Sequence, residues 1–313
     1  MPTARLLCVT LFALLALCAA APCAAQTPAT VTVVNKKTGA PVTGLTREAF
    51  GLSDGKMSQE LTSFVGADEP SSVAIVLDLS GSVRAGDPLK RLRDTLDALS
   101  RLIRSGHPSN EYMVITFAEE VVTVLDASRG TDAAAEALLT LPGAKPGTQS
   151  SLFDACWQTI NKLAGGAHAK RSLILVTDGD DTYSRAREDD VVRQLKEMNV
   201  VIYGVNVGED DGRETASGNP LDAGTRLLEK LSKVSGGLSF NARDEKTVRR
   251  AVEQIAAELR GQYVVGFKPS APPAPGKCLK LKTSVTPPAA DAKDLIVRTR
   301  EEFCAPRADL RKK

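Results

Sequence analysis

Two short apolar runs, each followed directly by a polar segment, constrain the fold of this chain most. Val73–Leu77 precedes the segment 78–82, and Leu173–Val176 precedes the segment 177–181. Apolar runs of this length, separated by amphipathic helical patterns, are typical of buried strands in a parallel sheet. The sequence therefore predicts an α/β fold with a doubly wound, mostly parallel sheet. The polar segments then lie at the rim where open α/β sheets bind ligands.

The residues between the two runs support this alternation. A helix opened by Asp87-Pro88, with Asp87 as its cap, is predicted from leucines at spacings of three and four. Tyr112–Phe117 and Val121–Leu125 read as a hairpin, hence an antiparallel pair toward the sheet edge. Further helices are predicted at 131–139, after residue 151 and at 188–198, with strands at 172–177 and 200–207. Asp222 and Asp244 are predicted to cap the N-termini of the last two helices.

Both ends of the chain have strand-like patterns instead. We expect an N-terminal β segment at 26–68, the α/β domain at 70–261, and a C-terminal β segment and tail at 262–313. The two β segments are expected to pack together as one small sandwich-like unit. The polar, Gly-rich stretch 209–224 is predicted to be a loop near the ligand-binding rim.

The first 25 residues have the pattern of a secretory signal peptide. Arg5 precedes the apolar stretch Leu6–Leu17, and small residues precede Gln26. The apolar stretch is shorter than the ~20 residues of a membrane-spanning helix. We expect cleavage and export to a periplasmic or extracellular location, with no membrane span; a retained anchor is the alternative.

Charge and cysteine content narrow the class of protein further. The formal net charge is +2 and the few aromatic residues are scattered, so no nucleic-acid partner is indicated. Cys156 lies on the apolar stripe of a predicted helix and is interpreted as a buried thiol. Cys278 and Cys304 flank the C-terminal β segment, and a disulfide between them is a hypothesis that oxidising conditions would favour.

The polar segments offer oxygen ligands for a hard cation. Asp78, Ser80 and Ser82 alternate along one segment, and Asp178 follows the other apolar run. Magnesium prefers such oxygen ligands and keeps several waters. With few charged ligands in direct contact, the ion would stay partly positive and attract a carboxylate from a partner protein. Mg²⁺ is the predicted cofactor, with Mn²⁺ or Ca²⁺ as alternatives.

These segments resemble the von Willebrand factor type A (VWA) family. The resemblance rests on 78–82 (DLSGS), a hydroxyl-bearing middle loop and 177–179 (TDG). Within the family, the chain most resembles the VWA-related proteins of acidobacterial type, on the segments 42–50, 151–155 and 261–269. It implies a metal-ion-dependent adhesion site. The third hydroxyl stays open, because the family's spacing before Leu152 indicates Ser150 whereas the Gly-Thr pair ends at Thr148.

Two other functions compete with a non-enzymatic binding module. One is a phosphohydrolase with Asp78 as nucleophile and Mg²⁺ held by Asp178 and Asp181, but Ser80 stands where that chemistry needs a general acid. The other is a structural VWA scaffold with no bound metal. Asp180 and Asp181 are interpreted as solvated or supporting residues, and Asp154 as a residue that orients the loop. The oligomeric state is not specified by the sequence.

Overall fold

The computed structural model describes residues 27–83, 86–141, 147–208, 223–242, 244–269, 273–286 and 294–306. The predicted signal peptide, most of the 209–224 loop and the predicted helix cap Asp222 lie outside these residues. In the part of the chain that is described, no helix is long and apolar enough to cross a membrane.

A six-stranded sheet forms the centre of the molecule. In chain order its strands are β5 (Ser71–Asp78), β6 (Glu111–Phe117), β7 (Val121–Arg129), β8 (Lys170–Thr177), β9 (Val201–Asn206) and β10 (Leu238–Asn241). Their spatial order is β10-β9-β8-β5-β6-β7, and only β7 runs antiparallel to its neighbour. The predicted doubly wound sheet and the edge hairpin β6–β7 are both confirmed.

Helices cover both faces of this sheet. They are α1 (Gly86–Arg104), α2 (Thr131–Thr140), α3 (Leu152–Ala164), α4 (Glu188–Glu197), α5 (Ala223–Ser235) and α6 (Glu245–Arg260). The apolar residues of α1, α2 and α6 pack on one face, and those of α3, α4 and α5 on the other. All eight residues of β5 are buried between these layers. Two-sided burial explains why residues 73–77 of this strand form an unbroken apolar run rather than an alternating pattern.

The helix boundaries differ slightly from the sequence prediction. Helix α1 begins at Gly86, so Asp87 lies inside its first turn and not at its cap, which corrects the prediction. Pro88 is compatible with a helix that begins at Gly86, because the first amides of a helix have no intrahelical partner and a proline there costs no hydrogen bond. The predicted cap Asp244 of α6 is confirmed, since its Oδ1 accepts from Thr247 N at 2.7 Å.

The two chain ends build a small sandwich beside the central sheet. One layer has the order β13-β1-β11-β4, with β1 (Thr27–Asn35), β4 (Glu60–Val65), β11 (Gln262–Lys268) and β13 (Leu295–Arg298). The other has the order β14-β12-β2-β3, with β2 (Phe50–Asp54), β3 (Met57–Ser58), β12 (Cys278–Val285) and β14 (Glu302–Cys304). A separate apolar core lies between the layers, so the predicted sandwich-like unit is confirmed.

Two connections join strands that are far apart in the chain within the sandwich. Strands β4 and β11 are antiparallel neighbours, with Val65 opposite Val264. The chain therefore leaves the sandwich after β4, builds the whole central sheet, and returns beside the strand it left. Cys278 and Cys304 face each other across β12 and β14 with their Sγ atoms 1.93 Å apart, which confirms the disulfide hypothesis.

A buried polar cluster connects the sandwich to the central sheet; we call it the junction and define it by Glu258, Gln262, Arg298 and Arg300. Gln262 Nε2 donates to Tyr203 Oη at 2.9 Å, and Arg298 forms an ion pair with the fully buried Glu258. Arg300 donates to the carbonyl oxygens of Met198 at 2.9 Å and Pro28 at 2.6 Å. Burial lowers the pKa of Arg300 to about 10.

Candidate metal-binding site

The Asp78 carboxylate is the centre of the site, at the carboxyl end of β5. It is fully buried, and both of its oxygens accept hydrogen bonds. Oδ1 accepts from Ser80 N at 2.8 Å, and Oδ2 accepts from Thr177 Oγ1 at 2.6 Å. Strands β5 and β8 are parallel neighbours with Leu77 opposite Val176, so Asp78 and Asp178 are carried to the same rim.

The electrostatics of the two aspartates are unfavourable without a cation. Burial, followed by the negative charge of Asp178, raises the pKa of Asp78 to about 6. The hydrogen bonds from Ser80 and Thr177 oppose this shift but do not cancel it. Asp178 Oδ1 accepts from Asp180 N at 3.1 Å, which holds this second carboxylate in the loop after β8. A positive ion bound near these carboxylates would offset both the cost of burying the Asp78 charge and the repulsion between the two negative charges.

The two serines are spaced as neighbouring ligands of one ion. Ser80 Oγ and Ser82 Oγ are 3.2 Å apart. Two oxygens bound at right angles to Mg²⁺ at about 2.1 Å would be about 3 Å apart. The serine pair therefore needs only a small adjustment to share a cation.

Glycines let the start of α5 approach the second aspartate. A Cβ atom at Gly224 would lie 1.9 Å from the carbonyl oxygen of Asp178. Gly179 has a φ of +88°, a conformation that favours glycine. It packs against Gly224, since a Cβ at Gly179 would lie 2.4 Å from Gly224 Cα. The first turn of α5 thus contacts the backbone on which Asp178 is carried.

The middle loop contributes two hydroxyls in different environments. Gly147 N donates to Leu79 O at 3.0 Å, which attaches the loop beside Ser80. Thr148 is exposed, and both its backbone N and its Oγ1 donate to Glu119 Oε1 at 2.6 Å. Ser150 is buried, and its Oγ has no hydrogen-bond partner among the residues that the structure describes. Both sequence candidates remain, because neither environment excludes an ion.

Glu119 is the residue that the sequence analysis missed. Hydrogen bonds from the side chain and backbone of Thr148 lower the pKa of this exposed carboxylate to about 2. It lies in the turn between β6 and β7, immediately after the carboxyl end of β6. That position, at the same rim as Asp78, is the one signal in the sequence that would have drawn attention to it.

The other acidic residues of the rim support the loops. Asp181 Oδ1 accepts from Phe153 N at 3.1 Å and from Ser184 Oγ at 2.5 Å. The carboxylate of Asp154 accepts from Arg185 N at 3.1 Å and Ala186 N at 2.8 Å. The interpretation of Asp154 as an orienting residue is confirmed, and Asp181 plays a similar supporting role.

The donor set fits a hard divalent cation. It consists of carboxylate and hydroxyl oxygens, one of which, Ser150 Oγ, is buried without a described partner. Elsewhere in the described ranges, the one cluster of three metal-ligating side chains is Cys278, Glu302 and Cys304. Its two thiols are joined in the disulfide, so it offers no comparable site.

A groove lies beside the middle loop. It has a volume of about 430 Å³ and is lined by Leu79, Phe117, Glu120, Val122 and Gly147, among others. Val122 is 49% exposed, although it is a strand residue with an apolar side chain. An exposed apolar residue next to the candidate ion site offers additional contact area to a partner.

The family model of the von Willebrand factor type A domain matches residues 72–258, so the chain belongs to this family. A comparison with curated proteins finds no match.

Several solved structures are similar to the chain. An aerotolerance-related membrane protein from Bacteroides fragilis is 19% identical, covering 61% of this chain and 98% of its own, with a TM-score of 0.45. A von Willebrand factor type A structure from Catenulispora acidiphila is 12% identical, covering 91% and 75%, with a TM-score of 0.48. Proximal thread matrix protein 1 from the mussel byssus, solved with zinc in its metal-ion-dependent adhesion site (MIDAS) motif, is 13% identical. The match covers 65% of this chain and 48% of that protein, with a TM-score of 0.47.

Proposed function

We propose that this protein is an exported, non-enzymatic binding module that captures a partner's Asp or Glu through a divalent cation. The cation would be Mg²⁺, with Mn²⁺ or Ca²⁺ as alternatives. Ser80, Ser82 and either Thr148 or Ser150 would bind it through their hydroxyls, and Asp78 and Asp178 would bind it directly or through water. The observation that carries the proposal is the buried Asp78 carboxylate beside Asp178. Its described hydrogen-bond donors are a backbone amide and a hydroxyl, both neutral. A cation from outside would complete this arrangement.

The chemistry of capture follows from the donor set. The hydroxyls that bind the ion directly are neutral, and where an aspartate binds through water its charge is kept farther away, so the positive charge of the ion would be only partly offset at its open position. A partner's carboxylate then becomes a favourable additional ligand. The groove beside Gly147 and Val122 would take neighbouring side chains of the same partner, and the 209–224 loop is proposed to restrict which partners fit.

The geometry gives little support to the phosphohydrolase alternative. A nucleophilic aspartate must reach the phosphorus atom, but Asp78 is fully buried and both its oxygens accept hydrogen bonds. Asp181, which that chemistry would use together with Asp178 to hold Mg²⁺, already accepts hydrogen bonds from Phe153 N and Ser184 Oγ. A scaffold without metal is the remaining alternative.

Export and subclass belong to the same proposal. The Cys278–Cys304 disulfide supports export, because such bonds persist in oxidising compartments. We further propose a signal peptide at 1–25, β segments at 26–68 and 262–313 around a VWA domain at 70–261, and membership of the acidobacterial-type subclass.

Calorimetric titration with Mg²⁺ and Mn²⁺ tests the site. We expect saturable binding to residues 26–313 and none to the variant Ser80→Ala/Asp178→Ala, with circular dichroism showing that the variant is folded. The matched control Ser109→Ala/Asp132→Ala carries the same two changes away from the rim and should bind like the unaltered protein. Absence of binding to the unaltered protein would favour the scaffold.

A further inference from the structure

We infer that a cavity at the amino ends of the central strands binds a free α-amino acid with an apolar side chain. The cavity has a volume of about 270 Å³. It lies where the beginnings of β5, β6 and β8 meet the ends of α1 and α6 and the segment 67–69 that follows β4. The candidate metal site is at the opposite, carboxyl ends of these strands, so the cavity is a separate site.

The most deeply buried charge in the cavity wall is the Lys170 ammonium. Lys170 is 2% exposed, and its Nζ donates to Ala67 O at 2.5 Å and to Glu69 O at 2.7 Å. An ammonium has three N–H donors, so one of them has no acceptor among the residues that the structure describes. Both acceptors are neutral carbonyl oxygens. A carboxylate from a ligand would supply the missing acceptor together with the opposite charge.

The surroundings keep Lys170 positively charged at neutral pH. Burial lowers the pKa of Lys170 to about 8, and the negative charges of Asp68 and Glu69 oppose this shift. Both carboxylates are therefore close enough to act on the ammonium, although neither forms an ion pair with it in the described part of the chain.

The charged groups that line the cavity are of both signs. Lys170 and Arg260 are the cations, and Asp68 and Glu69 are the anions. No ion pair among the described residues involves any of the four. An α-amino acid carries a carboxylate and an ammonium on one carbon atom. It would match both signs at once, with its carboxylate at Lys170 and its ammonium toward the two acidic side chains.

The apolar part of the lining and the size of the cavity define the ligand's side chain. Val73, Leu102 and Leu259 contribute aliphatic side chains to the wall. A water molecule takes up about 30 Å³ in the liquid, so the cavity holds a molecule of about nine non-hydrogen atoms, which is the size of leucine. A mostly apolar wall with a few polar groups is typical of small-molecule sites.

Hydrogen bonds hold part of the cavity wall in a fixed shape. Asn110 Oδ1 accepts from Ser71 N at 2.8 Å, and Asn110 Nδ2 donates to Tyr112 Oη at 3.0 Å. All three residues are buried. A wall that is already ordered costs little conformational entropy when a ligand binds.

Calorimetric titration with four related ligands tests the inference at pH 7. A chelator is present, so that no carboxylate can bind through a metal ion. We expect saturable binding of L-leucine. 4-Methylpentanoate lacks the ammonium and 3-methylbutylamine lacks the carboxylate, so each should bind at least about 10-fold more weakly. Glycine keeps both charges but has no apolar side chain, and it should also bind more weakly.

Two variants locate the binding in the cavity. Lys170→Met removes the charge and should weaken leucine binding about 10-fold, while 3-methylbutylamine should bind as before. Ala256→Leu fills part of the cavity without changing a charge and should abolish leucine binding. Lys162→Met, which changes a lysine of α3 outside the cavity, is the matched control and should bind leucine normally. Circular dichroism shows whether each variant is folded.

The outcomes that would overturn the inference are distinct from a failure of metal binding. Equal affinities for leucine and 4-methylpentanoate would overturn it, as would unchanged leucine binding in folded Lys170→Met and Ala256→Leu. Failure of the unaltered protein to bind leucine, isoleucine, valine or methionine would also overturn it. None of these results bears on the proposed metal site, which is titrated separately.

Discussion

The protein buries charge in two places, and the two differ in whether the charge is matched. At the rim, Asp78 lies beside Asp178, and the like charge contributes to the raised pKa of the buried group. At the junction, the buried Glu258 carboxylate is matched by Arg298, whereas the Arg300 guanidinium donates to carbonyl oxygens instead of a carboxylate. Matched charges hold two parts of the molecule together, whereas like charges at an exposed edge are typical of a site for an external ion.

The largest effect is expected at the junction. Glu258→Ala leaves Arg298 without its carboxylate, and removing one partner of a buried pair lowers the free energy of unfolding by about 3–5 kcal/mol. Urea unfolding at pH 7 measures the change. The double variant Glu258→Met/Arg298→Met, which removes both charges, should be much closer to the unaltered protein. If the Glu258→Ala variant were as stable as the unaltered protein, the ion pair between Glu258 and Arg298 would not contribute to the free energy of unfolding.

The rim should respond with the opposite sign. Without metal, Asp78→Asn removes a buried charge and should raise the free energy of unfolding at pH 7 by roughly 2 kcal/mol, while abolishing metal binding. Urea unfolding in the presence of a chelator gives the stability, and calorimetry gives the binding. A less stable Asp78→Asn variant would show that this carboxylate serves the fold first.

The same group gives the pH dependence of that effect. The folded-state pKa of about 6 lies above the ordinary value of 3.8, so the native state binds the proton more tightly than the unfolded state. The metal-free protein should therefore gain stability from this group as the pH falls from above 6 to about 4, and lose it again as the pH rises. The Asn variant should lack this component.

An exposed pair supplies the smallest expected effect. Arg104 and Asp132 are joined at 2.6 Å, but their side chains are 45% and 79% exposed. Asp132→Asn should change the free energy of unfolding by less than about 0.5 kcal/mol, because water screens such pairs. The same urea experiment gives the value. A larger loss would mean that exposure is a poor guide to the charges that matter in this protein.

Much of the fold could be predicted because the signals are local. The apolar run of β5 and the leucine spacing of α1 specify a buried strand and a covering helix. Asp78 and Asp178 were identifiable because each directly follows such a strand, and parallel strands bring their carboxyl ends to one rim. The edge hairpin was predicted for a similar reason, whereas the disulfide hypothesis depended on the expected oxidising location of the protein.

The remainder depends on contacts between distant residues. Glu119 meets Thr148 across 29 positions of the chain, and Arg300 meets the Pro28 carbonyl oxygen across 272. No periodicity or spacing encodes such pairs. The choice between Thr148 and Ser150 has the same origin, since it depends on how the middle loop lies against the Ser80 segment.

The pairing of β4 with β11 has a consequence for how the molecule transmits force. Because these neighbouring strands lead out to the central sheet and back again, a pull on the sandwich is carried across its hydrogen-bonded ladders. The central sheet is inserted between β4 and β11, so tension that crosses this ladder does not pass through the central sheet. Its rim would keep its geometry under mechanical load as long as the β4–β11 ladder holds.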